Sequence, residues 1–373
     1  MTPRTPLCDL LGIEHPIIQS GMGSVAGSEL VAEVSRAGGL GVLAGLNLPP
    51  EELRKRIHQV RALTDRAFGV NLWLHTDLRP PVDPATLPPE RVDVVQNVLN
   101  RFRERLEVPA SHARPPRMPD VIDAALAVIL EERVPVWSIG LGNPQPEMVA
   151  RCRERGVKIM AMVATVEDAR AADALGADVI VVQGSEAGGH RSTGVKRGRE
   201  EASVGTMALV PQVVDAVRVP VVAAGGIADG RGLVAALALG AQGVLMGTRF
   251  VATRESVAAE FWKKRLLESD GGDTVLTEAF TGLWARAARN TFTTEYEASG
   301  APVLPGLLQS AAAQDVYAAS GRQGSGECFP MWSGQGSGLV HDLPGAGEVV
   351  ERIVREAGAV LARLRPDATA ARS

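Results

Sequence analysis

The sequence predicts a closed (β/α)8 barrel, and three observations carry that prediction. Eight short apolar runs, rich in valine and isoleucine, show no polar alternation, as strands covered on both faces should read. Helix-like stretches separate them in βα order, which calls for a parallel sheet. The 373 residues leave room for a barrel of about 250 residues plus excursions. A doubly wound open sheet is the alternative; strand count and length favour closure.

The first strand is expected at 16–20 (PIIQS), followed by the helix SELVAEVSRAG with Ser28 as its N-cap. The second, at 39–43 (GLGVL), leads into the helical PEELRKRIHQVRAL. The third lies at 68–73 (FGVNLW), and residues 75–118 after it break the repeat. There Pro80, Pro81, Pro84, Pro88, Pro89, Pro109, Pro115 and Pro116 surround a helical core, PERVDVVQNVLNRFRERL. An insertion of this kind lies over the surface, either as a lid or as a plain loop. The helix MPDVIDAALAVILEE then leads to a fourth strand at 134–139 (VPVWSI). The helix PEMVARCRERG leads to a fifth at 157–162 (VKIMAM), and VEDARAADALG to a sixth at 178–183 (DVIVVQ). The seventh strand is expected at 219–224 (VPVVAA), the helix DGRGLVAALALG after it, and the eighth strand at 242–246 (QGVLM). Gly38, Gly156, Gly176 and Gly240 stand where helix C-termini belong. Residues 255–344 read as a smaller, mainly helical region ending in a glycine-rich tract, and GEVVERIVREAGAVLARL as the barrel's closing helix. The expected division is therefore a barrel of 1–254 plus 345–365, with 255–344 on the substrate side; the tail from Pro366 should be disordered.

Composition narrows the function classes. A chain 45% hydrophobic and 22% charged, with net charge −4, reads as an ordinary soluble protein without affinity for nucleic acid or an acidic membrane surface. Cys8, Cys152 and Cys328 are odd in number and scattered, so neither a disulfide framework nor metal-ligand spacing follows. The first residues lack a signal peptide's apolar core, and no run approaches the ~18–20 apolar residues of a membrane span. The expectation is a cytoplasmic enzyme for a small molecule; a homo-oligomer stays open.

In such a barrel the active site lies at the C-terminal strand ends. Those ends carry Ser20-Gly21-Met22-Gly23, Asn71, Gln183 with the loop GSEAGGH, Ala223-Ala224-Gly225-Gly226, and Met246-Gly247-Thr248-Arg249. Glycine at so many ends points to one object approached by backbone. Loops after the seventh and eighth strands commonly hold phosphate through free N–H groups and a helix N-terminus. Two adjacent loops agree here, and Asp229 reads as a plain N-cap. No GxGxxG opens a helix after the first strand, so this is not a dinucleotide fingerprint.

The pieces PIIQSGMG, FGVNL, GADVIVVQGSEAGGH, VPVVAAGGIADGRGLVAALALGAQGVLMGTRF and MWSGQGSGL together resemble nitronate monooxygenase (formerly 2-nitropropane dioxygenase), an FMN-dependent TIM-barrel family. FMN-dependent enoyl-acyl-carrier-protein reductases have similar EAGGH and AAGGIADG segments; Trp332 to Gln335 favours the nitronate enzymes. The resemblance implies that Gly225, Gly226, Gly247 and Thr248 bind the FMN phosphate, with Ala224 also in the cofactor site. Met22 and Gly23 would lie against the isoalloxazine, with Asn71 and Gln183 on its polar edges. Gly188 and Gly189 would let the loop pass the ring, His190 would project over its reactive face, and Ser333 and Gln335 would contact the cofactor or close the pocket. One departure concerns the fifth strand. Some relatives have a lysine near its end, whereas Lys158 here points away, so the group that offsets charge on reduced flavin, and the electron donor, stay open.

His190 is the expected catalytic residue. A free imidazole titrates near ~6.5, so it can remove the α-proton of a nitroalkane or, as imidazolium, bind a nitronate. The family implies oxidation by O2 to a carbonyl compound and nitrite. Two other readings are an NAD(P)H-dependent enoyl-thioester reductase and a non-redox phosphosugar barrel. The last needs a buried lysine or carboxylate pair that these strand ends lack. Among the remaining candidates, His15 reads as a turn residue, His58, His112 and His341 as surface, and His75 as lying outside the site. Glu186 reads as a loop anchor, Arg249 as support for the phosphate loop, and Arg286, Arg289 and Asn290 as a solvated or interdomain face. Trp73 and Trp137 are candidates for an apolar substrate wall.

Overall fold

The computed structural model describes residues 4–46 and 48–364. Eight parallel strands form one sheet: β1 (Ile17–Gln19), β2 (Gly41–Ala44), β3 (Phe68–Leu72), β4 (Val136–Ile139), β5 (Lys158–Val163), β6 (Val179–Gln183), β8 (Val221–Ala224) and β9 (Gly243–Met246), with β7 (Gly189–His190) lying outside it. The order β1-β9-β8-β6-β5-β4-β3-β2 is closed by a bridge between Ile18 and Leu40. The seam is stitched by Gln19, whose Oε1 accepts from Val42 N at 3.1 Å while its Nε2 donates to Val42 O at 3.3 Å. Each expected barrel strand is present, and the sheet is a (β/α)8 barrel.

Valine and isoleucine serve both faces of these strands, hence the missing alternation. Ile18, Val42, Val136, Met160, Val181, Val222 and Leu245 fill the interior as a packed core. A helix at Pro6–Leu11, unannounced by the sequence, adds Leu7, Cys8 and Leu11 to that cluster. Ile17, Val70, Trp137, Ile159, Ile180 and Val244 face the helices instead. Gly156 and Gly176 end their helices at φ +69° and +96°, left-handed values that glycine adopts without strain. Ser28 is not an N-cap: Gly27 holds that place, and the Ser28 hydroxyl donates to Arg56 O at 3.2 Å. The last helix, Ala346–Leu364, closes the barrel as expected, burying Val349, Val350, Ile353 and Ala357. Residues from Pro366 lie outside the described residues. No described helix is long and apolar enough to cross a membrane.

A second core sits beside the barrel. The insertion's helix, Pro89–Arg105, buries Val95, Leu99 and Phe102 against Phe280, Phe292, Tyr296, Val316 and Tyr317 of the segment after β9. That segment contains helices at 260–268, 291–298 and 308–322 and, unforeseen, two strands, β10 (Thr274–Thr277) and β11 (Ala285–Ala288). These form an antiparallel sheet in the order β10-β11-β7, pairing Ala285 with His190 and Arg286 with Gly189.

Candidate functional site

The loops at the C-terminal strand ends meet on one rim. Gly21 lies against Asn71, and a side chain on Gly247 would come within 3.3 Å of Met22 Sδ. Gly225 and Gly226, at φ +110° and +71°, make a turn that only glycine adopts freely. Thr206 Oγ1 lies 3.0 Å from Gly225 O, and Gly334 N donates to Thr248 Oγ1 at 2.9 Å. A Cβ on Gly336 would come within 3.4 Å of the Gly226 backbone. The Trp332–Gly336 segment therefore touches both glycine loops.

Several expected side-chain roles change. Gln183 spends its amide on its own loop: Oε1 accepts from Ser192 N at 2.8 Å and Nε2 donates to His190 O at 2.8 Å. Gly188 is small for the protein's sake, since a Cβ there would stand 2.6 Å from Gly334 N. Gly189 meets open space but holds φ +78°. Ser333 Oγ faces inward, donating to Met331 O at 3.2 Å. Gln335 has an exposed side chain and donates its backbone N–H to Glu186 O at 2.8 Å. Glu186 is the loop anchor, its carboxylate accepting from Thr206 N at 2.9 Å and Thr206 Oγ1 at 2.8 Å. Trp137 cannot wall the site: it is fully buried on the helix-facing side of β4.

His190 is gripped by residues from several elements. Its ring centroid lies 4.7 Å from that of Trp73 and 4.9 Å from that of Trp332. Nε2 is 2.9 Å from Thr281 Oγ1. Burial, with His75 adding to it, pushes the imidazole down to about 3, so the ring is neutral at ordinary pH. His75 is buried; its Nδ1 accepts from Asp77 N at 3.1 Å, and its Nε2 has no partner among the described residues. Arg191, which the sequence reading passed over, buries its guanidinium on the carbonyls of Gln183 (2.7 Å), Gly184 (2.9 Å) and Ala202 (3.0 Å). Arg286 donates to Ser185 O at 2.8 Å. Thr281, Arg191 and Ser192 each follow a recognisable turn or motif, but no local pattern announces their partners.

The rim fits a phosphate-bearing flat cofactor. Gly23 and Gly226 are exposed, with Gly225, Gly247 and Thr248 partly so. Among the described residues, the N–H groups of Gly225, Gly226, Gly247 and Thr248 donate to no carbonyl outside regular elements. Such groups suit an anion. The helix Gly230–Ala238 does not contribute its N-terminus, contrary to the architecture-based expectation. Asp229 accepts there from Arg231 N and Gly232 N, and Glu356 from Gly230 N at 3.0 Å. Arg249 likewise turns from the rim to Asp342 at 3.0 Å. Lys158 pairs with Asp178 at 3.5 Å, leaving Met162, partly buried, near the end of β5.

Comparison with known proteins agrees with this geometry. A family model described as nitronate monooxygenase matches residues 4–356. A probable nitronate monooxygenase of Staphylococcus saprophyticus is 34% identical over 367 residues, covering 97% of this chain and 100% of the relative. One from Staphylococcus aureus is 34% identical over 363 residues, covering 97% and 99%. Among solved structures, a nitroalkane oxidase from Streptomyces ansochromogenes superposes with a TM-score of 0.86 at 35% identity, covering 96% of this chain and 99% of that one. FabK from Thermotoga maritima gives 0.74 at 33% identity, covering 97% and 98%. The protein is a flavin-dependent oxidoreductase enzyme, and its chain belongs to the nitronate monooxygenase family.

Proposed function

We propose that this protein uses FMN and O2 to oxidise alkyl nitronates, and the nitroalkanes that give rise to them, to a carbonyl compound and nitrite. The observation that carries the reading is the His190 imidazole set between Trp73 and Trp332 beside a glycine-lined rim, where burial favours the neutral ring. The loop amides of Gly225, Gly226, Gly247 and Thr248 would hold the phosphate, with Met22, Gly23, Asn71 and Ala224 toward the ring. When bound, FMN supplies the electron transfer and O2 chemistry that side chains lack. The protein's own part is to desolvate the substrate between indoles and to accept its α-proton. A neutral ring is a base, which favours proton removal over binding of a nitronate by a standing imidazolium. Its lowered affinity for a proton reflects the cost of a lone buried cation, and a nitronate formed beside it offsets that cost. The three cysteines are buried free thiols, in keeping with a reducing cytoplasm.

The experiment is a visible spectrum followed by two additions. The purified protein should be yellow and, in air, release nitrite from the anion of nitroethane. Rapid bleaching by NADPH without oxygen, with no nitrite from the anion, would instead establish the enoyl-thioester reductase reading that the EAGGH and AAGGIADG segments also suggest. A colourless protein that cannot be reconstituted with FMN defeats both.

A further inference from the structure

His190 is held by the segment after β9 as well as by the barrel. Its backbone pairs with Ala285, and Thr281 places its hydroxyl 2.9 Å from Nε2. Thr281 is itself buried and anchored: it is 5% exposed, and the N–H groups of Thr281 and Gly282 both donate to Glu278 O, at 3.2 and 2.8 Å. Its oxygen also lies 3.3 Å from Leu283 O and 3.4 Å from Leu283 N.

A count of protons selects one arrangement. If the hydroxyl donates to Leu283 O, its oxygen can accept from both Leu283 N and a protonated Nε2, and every partner is satisfied. If it donates to Nε2 instead, Leu283 O loses this donor. The first arrangement makes three bonds and the second two, and unmet buried polar groups are costly. His190 Nδ1 makes no hydrogen bond to any described residue and is not enclosed.

We propose that Thr281 is a positioning residue that holds His190 as the Nε2–H tautomer, so that the lone pair on Nδ1 takes the substrate proton. The proposal rests on the functional reading above. In the step, the Cα–H bond of a neutral nitroalkane breaks, its electron pair stays on the substrate as the nitronate, and the proton passes to Nδ1. Nε2–H keeps donating to Thr281, now from a charged ring, which strengthens that bond. The groups around the imidazole are His75, the two indoles, and the pair Lys196–Glu278, 2.5 Å apart, at the start of Thr281's turn. A preformed nitronate has no such proton to lose, and that asymmetry supplies the test.

Thr281→Val keeps the shape and removes the hydroxyl; Thr281→Ser restores it. In the full chain labelled with 15N-histidine, NMR with and without FMN should report Nε2 protonated and Nδ1 bare in the wild type, with that preference lost in Thr281→Val and regained in Thr281→Ser. Loaded with FMN, Thr281→Val should lose about tenfold of kcat/KM for neutral nitroethane, a part of the roughly 10²–10⁴ that a positioned base contributes. It should act on nitroethane anion as the wild type does, and Thr281→Ser should recover the activity on the neutral substrate. A proton on Nδ1 in the wild type, an unaffected Thr281→Val, or equal losses on both substrates would each overturn the assignment. If the wild type oxidises neither substrate, the functional reading fails, while the NMR result still decides the tautomer.

Discussion

A histidine that exchanges water for two indole rings loses its affinity for a proton, and this sets the pH behaviour expected of His190. The sign follows from the direction of the shift. With the pKa pushed down to about 3, the ring stays a neutral base until pH falls through that value, not through the ~6.5 of a free imidazole. kcat/KM for a neutral nitroalkane should therefore hold level from pH 8 down to pH 5, and an acid limb centred near 6.5 would contradict the assignment. His190→Asn should retain flavin and lose about 10²–10⁴ in turnover of the neutral substrate, as nitrite assays on the yellow variant will show. This residue was legible because Gly-Gly-His follows a barrel strand at its catalytic end. The reason for its glycines was not, because Gly188 answers to Gly334, far along the chain. Trp137 was misread through alternation: Val136 fills the barrel interior and Asn71 of β3 reaches Ser138, so the residue between them must face the helices.

At the level of elements, the barrel could be read because each strand and helix declares itself locally through its apolar run, its glycine stop or its proline start. β7 could not. Two residues have no period, and their partner strand stands on the far side of the eighth barrel strand. The glycine loops were legible for a different reason, namely that they recur at equivalent strand ends. Gly226 gives the sharpest check on them. Its φ of +71° resists a β-branched side chain, and the residue is exposed at the rim, so Gly226→Val should leave the barrel folded. The expected outcome is a near-native far-UV circular dichroism spectrum with loss of absorbance near 450 nm. A Gly226→Val protein that stayed fully yellow would remove this turn from the cofactor site.

Across the whole molecule, an unbroken path of aromatic contacts connects the second core to the site. Phe102 touches Phe292 at 4.7 Å, Phe292 stacks on Phe280 at 5.1 Å, Phe280 meets Trp332 at 5.5 Å, and Trp332 meets His190 at 4.9 Å. The insertion was readable as an excursion but not as half of this core, since a single amphipathic helix does not name the surface it will cover. Phe292→Ala should cost about 3–5 kcal/mol, measurable in denaturant, and should weaken activity by loosening Trp332. The buried histidines add a dependence on acid. His15, His75 and His190 all have proton affinities lowered mainly by burial, while in the unfolded chain each titrates near ~6.5. Below that pH the unfolded state binds more protons than the folded one, so stability falls as pH drops and is regained as pH rises. Carboxylates whose affinity is lowered by ion pairs, such as Glu52, Glu295 and Glu348, act in the same sense only at lower pH, near their own range of about 4. The interval between about pH 6.5 and 5 thus isolates the histidines. The midpoint of thermal unfolding should fall across it, and His190→Asn, which has no ring to protonate, should show a shallower fall than the wild type. Equal slopes for the two proteins would mean that His190 is no harder to charge in the folded state than in the unfolded chain, and the neutral base inferred at the rim would lose its physical footing.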